Sequence, residues 1–527
     1  MWKGRALLFS LGASQVLPSF GAYVWPAKTD ALEDVIFNDS GYNAAGVGNH
    51  INKCGDPGRG DISTGAQVAA AWLRTAYHDM ITYVGAEKVG GLDASVLFET
   101  DRMENIGIGF NNTFLDIQPG YSSRVGMADV ITAAAYFALR KCGGPAIDVR
   151  AGRVDAQSGG TFGAPDPTET FHVHRMKFER ANRNQTQMIQ MIACGHSIGG
   201  VHGNDFPAVT LASDPAFIAH FDSTFNVYDN HVALDFISGN TSNPLASGPR
   251  MSQSDFRIFT SDGNKTITSM STPEGFAETC RRTITQMVET VPEGVKLTEP
   301  ITPSPLRPTN LKLTVNRKGS VNIQGEIRIH TDGVFNAQLL DVQLTFADRN
   351  GKALPKSIKA PYINRGFGVD FQFDYFKINV DLPTGISSMN VMVGDKLYDN
   401  AGHGFQIADQ VVFQQADSCY VPSTKTVTVY AAVSKSISTA EVKLEVYDLR
   451  PRLMSIIPGL YKDSVNMVKV TDPAYSINGY DLYSGTYAYT TEAGGEFSVA
   501  AYAAGKRYAD DFKKTSLYNG SACAAGN

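Results

Sequence analysis

Four short stretches hold the residue types that chemistry needs. In LRTAYHDM, residues 73 to 80, Arg74 and His78 stand four positions apart, with Tyr77 just before the histidine. On a helix that spacing puts a permanent cation and a titratable base one turn apart on one face. Such a pair can work on two atoms of one small substrate: the base moves a proton while the cation stabilises charge developing beside it. In MIACGHSIGG, His196 sits among small residues that let a flat, bulky group reach the imidazole. GGLDASVLFE offers Asp93 and Ser95, and FDSTFNVYD, residues 221 to 229, offers Asp222, Thr224 and Asp229. Oxygen-rich loops of this kind suit hard cations. An RxxxH pair alone is a short motif with many accidental matches, so the weight rests on all four stretches occurring together.

These residues need rigid elements to aim them. In TGAQVAAAWLRTAYHDM, Ala66, Ala69, Ala70, Leu73 and Tyr77 recur at spacings of three and four, which predicts a helix over 64–80. ADVITAAAYFALRKCGG and QTQMIQMIACGHSIGG read the same way, each closing on a glycine pair suited to a helix C-terminus. FHVHRM places His172 and His174 two apart; it is expected as a loop near the site rather than as a metal centre, since no third ligand is in view. Near residue 298 the composition changes. TEPITPSPLRPTN carries four prolines in thirteen residues and predicts a stiff linker over 298–309. Beyond it the apolar period becomes two, in LKLTVN, EIRIH, DVQLTFAD, VDFQFDYFKINVDL and MNVMV, with DRNGK as a hairpin turn. A second strand-rich block holds KTVTVYAAV, AEVKLEVYDL and GEFSVAAYAAG. The expected fold class is therefore multidomain: a mainly α-helical domain over 22–297, then two β-sandwich-like modules at 310–418 and 419–527. The tyrosines of DLYSGTYAYTTEAGG are read as strand residues rather than as a carbohydrate-binding face.

The ends and the bulk properties set the compartment. Lys3 and Arg5, the apolar run ALLFSLGASQVLPSFG and the small residues around Gly21 predict a secretory signal over 1–21. That run is too short and too interrupted for a membrane span, and no lipid-anchor tail is expected. Sequons at Asn38, Asn111, Asn184, Asn240, Asn264 and Asn519 predict a glycoprotein, secreted to the extracellular space. The 527 residues carry a formal net charge of −6 with acids and bases intermixed, which argues against nucleic acid as a partner. Six cysteines without a CxxC pair favour disulfides over zinc, and Cys419 and Cys523 bracket the second β block as a staple.

Taken together, the four stretches resemble the plant, fungal and bacterial haem peroxidase superfamily, most closely its secreted fungal branch, over roughly residues 50 to 290. The resemblance implies haem b, with His196 as the axial iron ligand and Phe221 as the aromatic on that side. It places Arg74, Tyr77 and His78 on the opposite, distal side, where Tyr77 stands in a position usually held by phenylalanine or tryptophan. Asn105, in MENIGIG, would accept the Nδ1 proton of His78, and Asp255, in MSQSDFRIF, that of His196. Two calcium ions are implied as well. Asp79, Gly91, Asp93 and Ser95 match the distal site; Ser197, Asp222, Thr224, Val227 and Asp229 match the proximal one, Gly91 and Val227 acting through carbonyls. Cys54 and Cys142 match a disulfide of the family, while the pairing of Cys194 and Cys280 stays open at this point.

The implied activity is reduction of hydrogen peroxide with one-electron oxidation of a small, phenolic donor. His78 would shuttle the peroxide proton and Arg74 would stabilise the departing oxygen. Gln67, Ala71 and His202 stand where manganese-oxidising relatives place acids, and Met191 stands where relatives with a surface radical place tryptophan, so neither specialisation is expected. The β modules are expected to attach or position the enzyme, with cell-wall polysaccharide as a contact. The alternative is a secreted binding or structural protein that keeps the peroxidase fold as a scaffold.

Overall fold

A computed structural model describes residues 23–60, 65–437 and 441–518. The expected signal segment, Cys523 and the Asn519 sequon lie outside them. The front half is helical, and its first helices are α1 (Asp30–Phe37), α2 (Val68–Met80), α3 (Gly109–Ile117), α4 (Met127–Lys141), α5 (Phe171–Arg180) and α6 (Gln185–Gly195). A longer helix, Pro273–Val288, follows the shorter Ser254–Phe259. On α2 the apolar residues Val68, Ala69, Trp72, Leu73, Ala76 and Met80 are buried; the packed face shares Ala69 and Leu73 with the expected one, whereas Ala70 and Tyr77 are half-buried and line the cavity. Helix α4 is buried along nearly its whole length; its alanines let neighbouring helices come close. Helix α6 opens on a capping box in which Asn184 and Gln187 satisfy each other's backbone N–H groups.

Three expectations need correction here. FHVHRM is not a loop but the first half of α5, which Thr170 caps and which buries His174 and Phe178. Two residues apart on a helix, His172 and His174 point to different faces, which removes the shared face a metal would need. Asn38 is buried, and its Nδ2 donates to the carbonyls of Tyr42 and Asn43 and to the Tyr375 hydroxyl, leaving no room for a glycan. The Pro-rich segment is no free linker: a strand already runs over Leu306–Val315, and the Thr298 and Ile301 N–H groups bond to the Ala151 and Val149 carbonyls.

The rear half is two β-sandwiches, all antiparallel. In the first, strands Ser40–Gly41, Tyr362–Phe367, Gln372–Leu382, Val321–His330 and Leu306–Val315 form one sheet in that order. It faces a sheet built around Val342–Ala347 and Ser388–Val393, with Val321, Ile323, Leu344, Phe376 and Val391 in the shared core. The second sandwich pairs a sheet centred on Thr426–Ser434 and Tyr480–Ala488 with one centred on Glu441–Arg450 and Gly495–Ala503. It begins at Val411–Phe413, which pairs with Thr426–Ser434, eight residues before the expected boundary at 419.

The helical domain and the modules share packing. The main helical core takes in Phe373 and Tyr375 from the first sandwich and Ile457 from the second. Glu33 and Asp34 of α1 meet Arg307 and Arg328 of the first sandwich; Arg307 to Asp34 is 2.5 Å and Arg328 to Asp34 is 2.7 Å, while Arg328 also bonds Glu33. Arg140 forks onto Asp370, and the Ser123 N–H donates to Glu496. Two disulfides brace the helices, Cys54–Cys142 as the family resemblance implies and Cys194–Cys280, which fixes α6 to the helix Pro273–Val288. Cys419 is disulfide-bonded; Cys523, its expected partner, is outside the described residues. Among the described residues no helix is long and apolar enough to cross a membrane.

Candidate active site

Helix α2 and the C-terminal end of α6 face each other across a cavity of about 810 Å³. Arg74, Tyr77 and His78 line it from α2; His196, the C-cap residue of α6, lines it from the other side. Gly199 (φ +85°) makes the approach possible, since a Cβ there would lie 2.7 Å from the Ala70 methyl group. Small and apolar residues, among them Ala70, Ala71, Gly195 and Ile258, line it.

On the α2 side, His78 Nδ1 lies 2.7 Å from Asn105 Oδ1. Asn105 Nδ2 donates to the Glu99 carbonyl at 2.9 Å, which fixes the amide so that Oδ1 can only accept. Nδ1 of His78 must then carry the proton, and Nε2 keeps its lone pair. Burial, with the Arg74 charge adding to it, holds the His78 pKa down to about 3. Arg74 donates to the Ile106 carbonyl at 3.0 Å and lies over the Phe110 ring, 4.5 Å from its centroid. Burial lowers its pKa to about 10, so it stays cationic at neutral pH. The Tyr77 hydroxyl is buried with no hydrogen-bond partner among the described residues, and burial pushes its pKa far up.

On the other side, His196 Nδ1 lies 2.7 Å from Asp255 Oδ2, and Asn243 Nδ2 donates to the same oxygen at 2.7 Å. Burial pushes the Asp255 carboxyl up, but His196 and these hydrogen bonds outweigh it and hold it below the usual range. The Phe221 ring stacks on His196 with centroids 4.1 Å apart and planes 10° apart. Phe110 and Asn243 were not picked out from the sequence. Neither carries a signal of its own; what marks Asn243 is that its amide meets Asp255.

Each histidine is followed by a residue committed to an oxygen-rich loop. The Asp79 carboxylate accepts from the N–H groups of Ala94 and Val96, at 2.7 and 3.0 Å, and faces Ser95 Oγ. Asp93 accepts from the Ser95 N–H at 3.1 Å, and Gly91 accepts from the Asp93 N–H. Burial, then the neighbouring Asp93 charge, raises Asp79 well above the carboxylate range. Around the second loop, Ser197 Oγ donates to the Asp229 carbonyl at 2.7 Å and Thr224 Oγ1 to Asp229 Oδ1 at 2.8 Å. Asp222 is buried, its Oδ2 has no hydrogen-bond partner among the described residues, and burial with the Asp229 charge pushes its pKa up to about 8. Val227 is exposed at the loop's edge. No group of three or more His, Cys, Asp or Glu able to hold a metal occurs among the described residues. Each loop instead brings two carboxylates together with hydroxyls and carbonyls, a donor set whose uncompensated charge fits a hard divalent cation.

A family model described as "Peroxidase" matches residues 59–269. This chain belongs to the haem peroxidase superfamily. Among curated proteins it is similar to a "WSC domain-containing protein" of Arthroderma benhamiae, 36% identical over 509 residues, which is 93% of this chain and 67% of that protein. It is also similar to L-ascorbate peroxidase 5, peroxisomal, of Arabidopsis thaliana, 32% identical over 136 residues, 25% of this chain and 48% of the relative. Peroxidase 50 of the same plant is 30% identical over 154 residues, covering 25% and 44%. This peroxidase family member thus spans less than half the length of those two plant relatives, whereas the fungal match runs through both the helical domain and the β-sandwiches.

Proposed function

We propose that this chain is a secreted, haem-dependent peroxidase that reduces hydrogen peroxide while oxidising small, phenolic donors. The observation that carries the reading is the opposition of His78 and His196 across one cavity, each with Nδ1 committed to an acceptor and Nε2 left over. Haem b, when bound, would supply the redox centre that takes electrons from the donor and delivers them to peroxide. His196 would hold its iron, with Asp255 making the imidazole more electron-donating. His78 would take the proton from one peroxide oxygen and return it to the other, help of a kind typically worth about 10²–10⁴-fold. Arg74 would stabilise the charge on the departing oxygen. The small residues beside His196 and a cavity of about 810 Å³ leave room for a planar macrocycle.

Two calcium ions would be held by Asp79, Gly91, Asp93 and Ser95 on one side and by Ser197, Asp222, Thr224, Val227 and Asp229 on the other. Their task would be to fix the ends of α2 and α6, because each site contains the residue next to a working histidine. Secretion is supported by the N-terminal run and the disulfides. The sandwiches would position the enzyme on a polysaccharide surface.

Titration of the full chain with haem, followed at the Soret band, tests the proposal. One haem per chain is expected, with uptake lost or its spectrum changed in His196→Ala. Absence of stoichiometric uptake would overturn the proposal and favour a binding protein built on a retained scaffold.

A further inference from the structure

Beside Arg74 the cavity is lined by the segment Met103–Ile108 and by the turn that joins the strand Gly200–His202 to the helix Pro207–Thr210. Asp205, half-buried, lies in that turn and lines the cavity. Gly107 (φ +105°) separates the two rims: a Cβ there would sit 2.6 Å from Asp205 Oδ2 and 3.8 Å from Arg74 Nη1. A missing side chain thus lets a carboxylate and a guanidinium face the same point. The Asp205 charge also favours the protonated form of Arg74 against the effect of burial.

The other fixed cation lining the cavity is Lys177, which is committed to Glu169 at 2.6 Å and to the Ala164 carbonyl at 2.9 Å. An anionic donor entering here therefore finds Lys177 already paired and Arg74 already faced by the Asp205 carboxylate. Apolar residues share the rim, Met103 (84% exposed), Ile108 and Phe206, together with Glu104, whose carboxylate is taken up by the Gly163 and Ala164 N–H groups, and His202.

We propose that Asp205 is a specificity-determining residue which disfavours anionic donors and favours neutral or cationic aromatic ones at the rim beside Arg74. The inference rests on the peroxidase reading and names the donor class that reading leaves general.

The test uses the haem-loaded full chain and two aromatic probes of similar size and opposite charge, benzylammonium and benzoate. Binding is read from the Soret perturbation, and the ratio of donor KM values for a cationic and an anionic aromatic donor gives a second reading where probe binding is weak. In Asp205→Asn the preference for the cation should fall on the order of tenfold, and the change should shrink in high salt as the charge is screened. Asp205→Glu should keep the wild-type preference. An unchanged ratio in Asp205→Asn, or Asp205→Glu behaving like it, would overturn the assignment while haem uptake leaves the peroxidase reading standing. Failure to take up haem at all would overturn both.

Discussion

His78 is kept a neutral base by its surroundings: burial and Arg74 both oppose its protonation, and Asn105 selects the tautomer. The same logic at His196 runs through Asp255, which has one oxygen shared by His196 and Asn243. Replacing Asp255 by Asn should leave haem bound, shift its reduction potential upward and slow the reaction with peroxide by about 10–100-fold; voltammetry and rapid-mixing absorbance check the two parts. Tyr77 presents the opposite case. Its hydroxyl is buried without a partner, so Tyr77→Phe should stabilise the haem-free protein by about 1 kcal/mol, read as a raised unfolding midpoint. A lowered midpoint would mean that the hydroxyl has a partner after all. Arg74 and His78 were legible from the sequence because they stand one turn apart, whereas the roles of Asn105, His196 and Asp255 came from the resemblance to a family. Asp205 was not, because its meaning comes from Arg74, 131 positions away, across a glycine that carries no side chain.

At the scale of elements, the ends of α2 and α6 are where helix geometry hands over to chemistry. Asp79 and Ser197 directly follow the two histidines and belong to loops with paired acids. With calcium bound, those loops should stabilise the helix ends; a ligand present at 100 times its Kd adds about 2.7 kcal/mol. Chelation should therefore lower the unfolding temperature and broaden the haem spectrum. Asp222→Asn gives a change of sign: in chelator it should raise the unfolding temperature by removing a buried carboxylate that also faces Asp229, and in calcium it should lower it by removing a ligand. Two effects of the same sign would count against a cation at that loop. Helices with a clean apolar period, α2, α4 and α6, were readable in advance. Helix α5 was not, since it buries only His174 and Phe178 and owes its start to the Thr170 cap. Its polar composition resembles a loop until tertiary packing selects the helix.

Over the whole molecule, the helical domain and the sandwiches form a continuous structure. Phe373, Tyr375 and Ile457 complete the helical core, and Arg307 and Arg328 lie buried against Glu33 and Asp34. Cutting the chain after Leu297 would expose that core and strip α1 of its partners, so the fragment should be poorly soluble or unfold at a markedly lower temperature than the full chain. Arg328→Ala should cost about 3–5 kcal/mol, because it leaves Glu33 buried with a partner lost. Asp34 adds a pH dependence. Burial pushes its carboxyl up, but Arg307 and Arg328 outweigh this and hold it below its ordinary value of 3.8. The ion pairs thus contribute fully at neutral pH, and their contribution is lost as pH falls below about 3.8 through the lower folded-state value. Acid titration of unfolding should be less steep in Asp34→Asn over that range. The strand-rich character of this half was readable from its period of two. Its union with α1 was not, because Asp34 and Arg328 are 294 residues apart and no local pattern links them.

The measurement that bears most directly on the account is the rate at which the haem-loaded chain reacts with one equivalent of hydrogen peroxide, in wild type and in His78→Ala. The account predicts a rapid Soret change in wild type and a rate lower by about 10²–10⁴-fold in the variant, with haem content unchanged. Equal rates in the two proteins would contradict it.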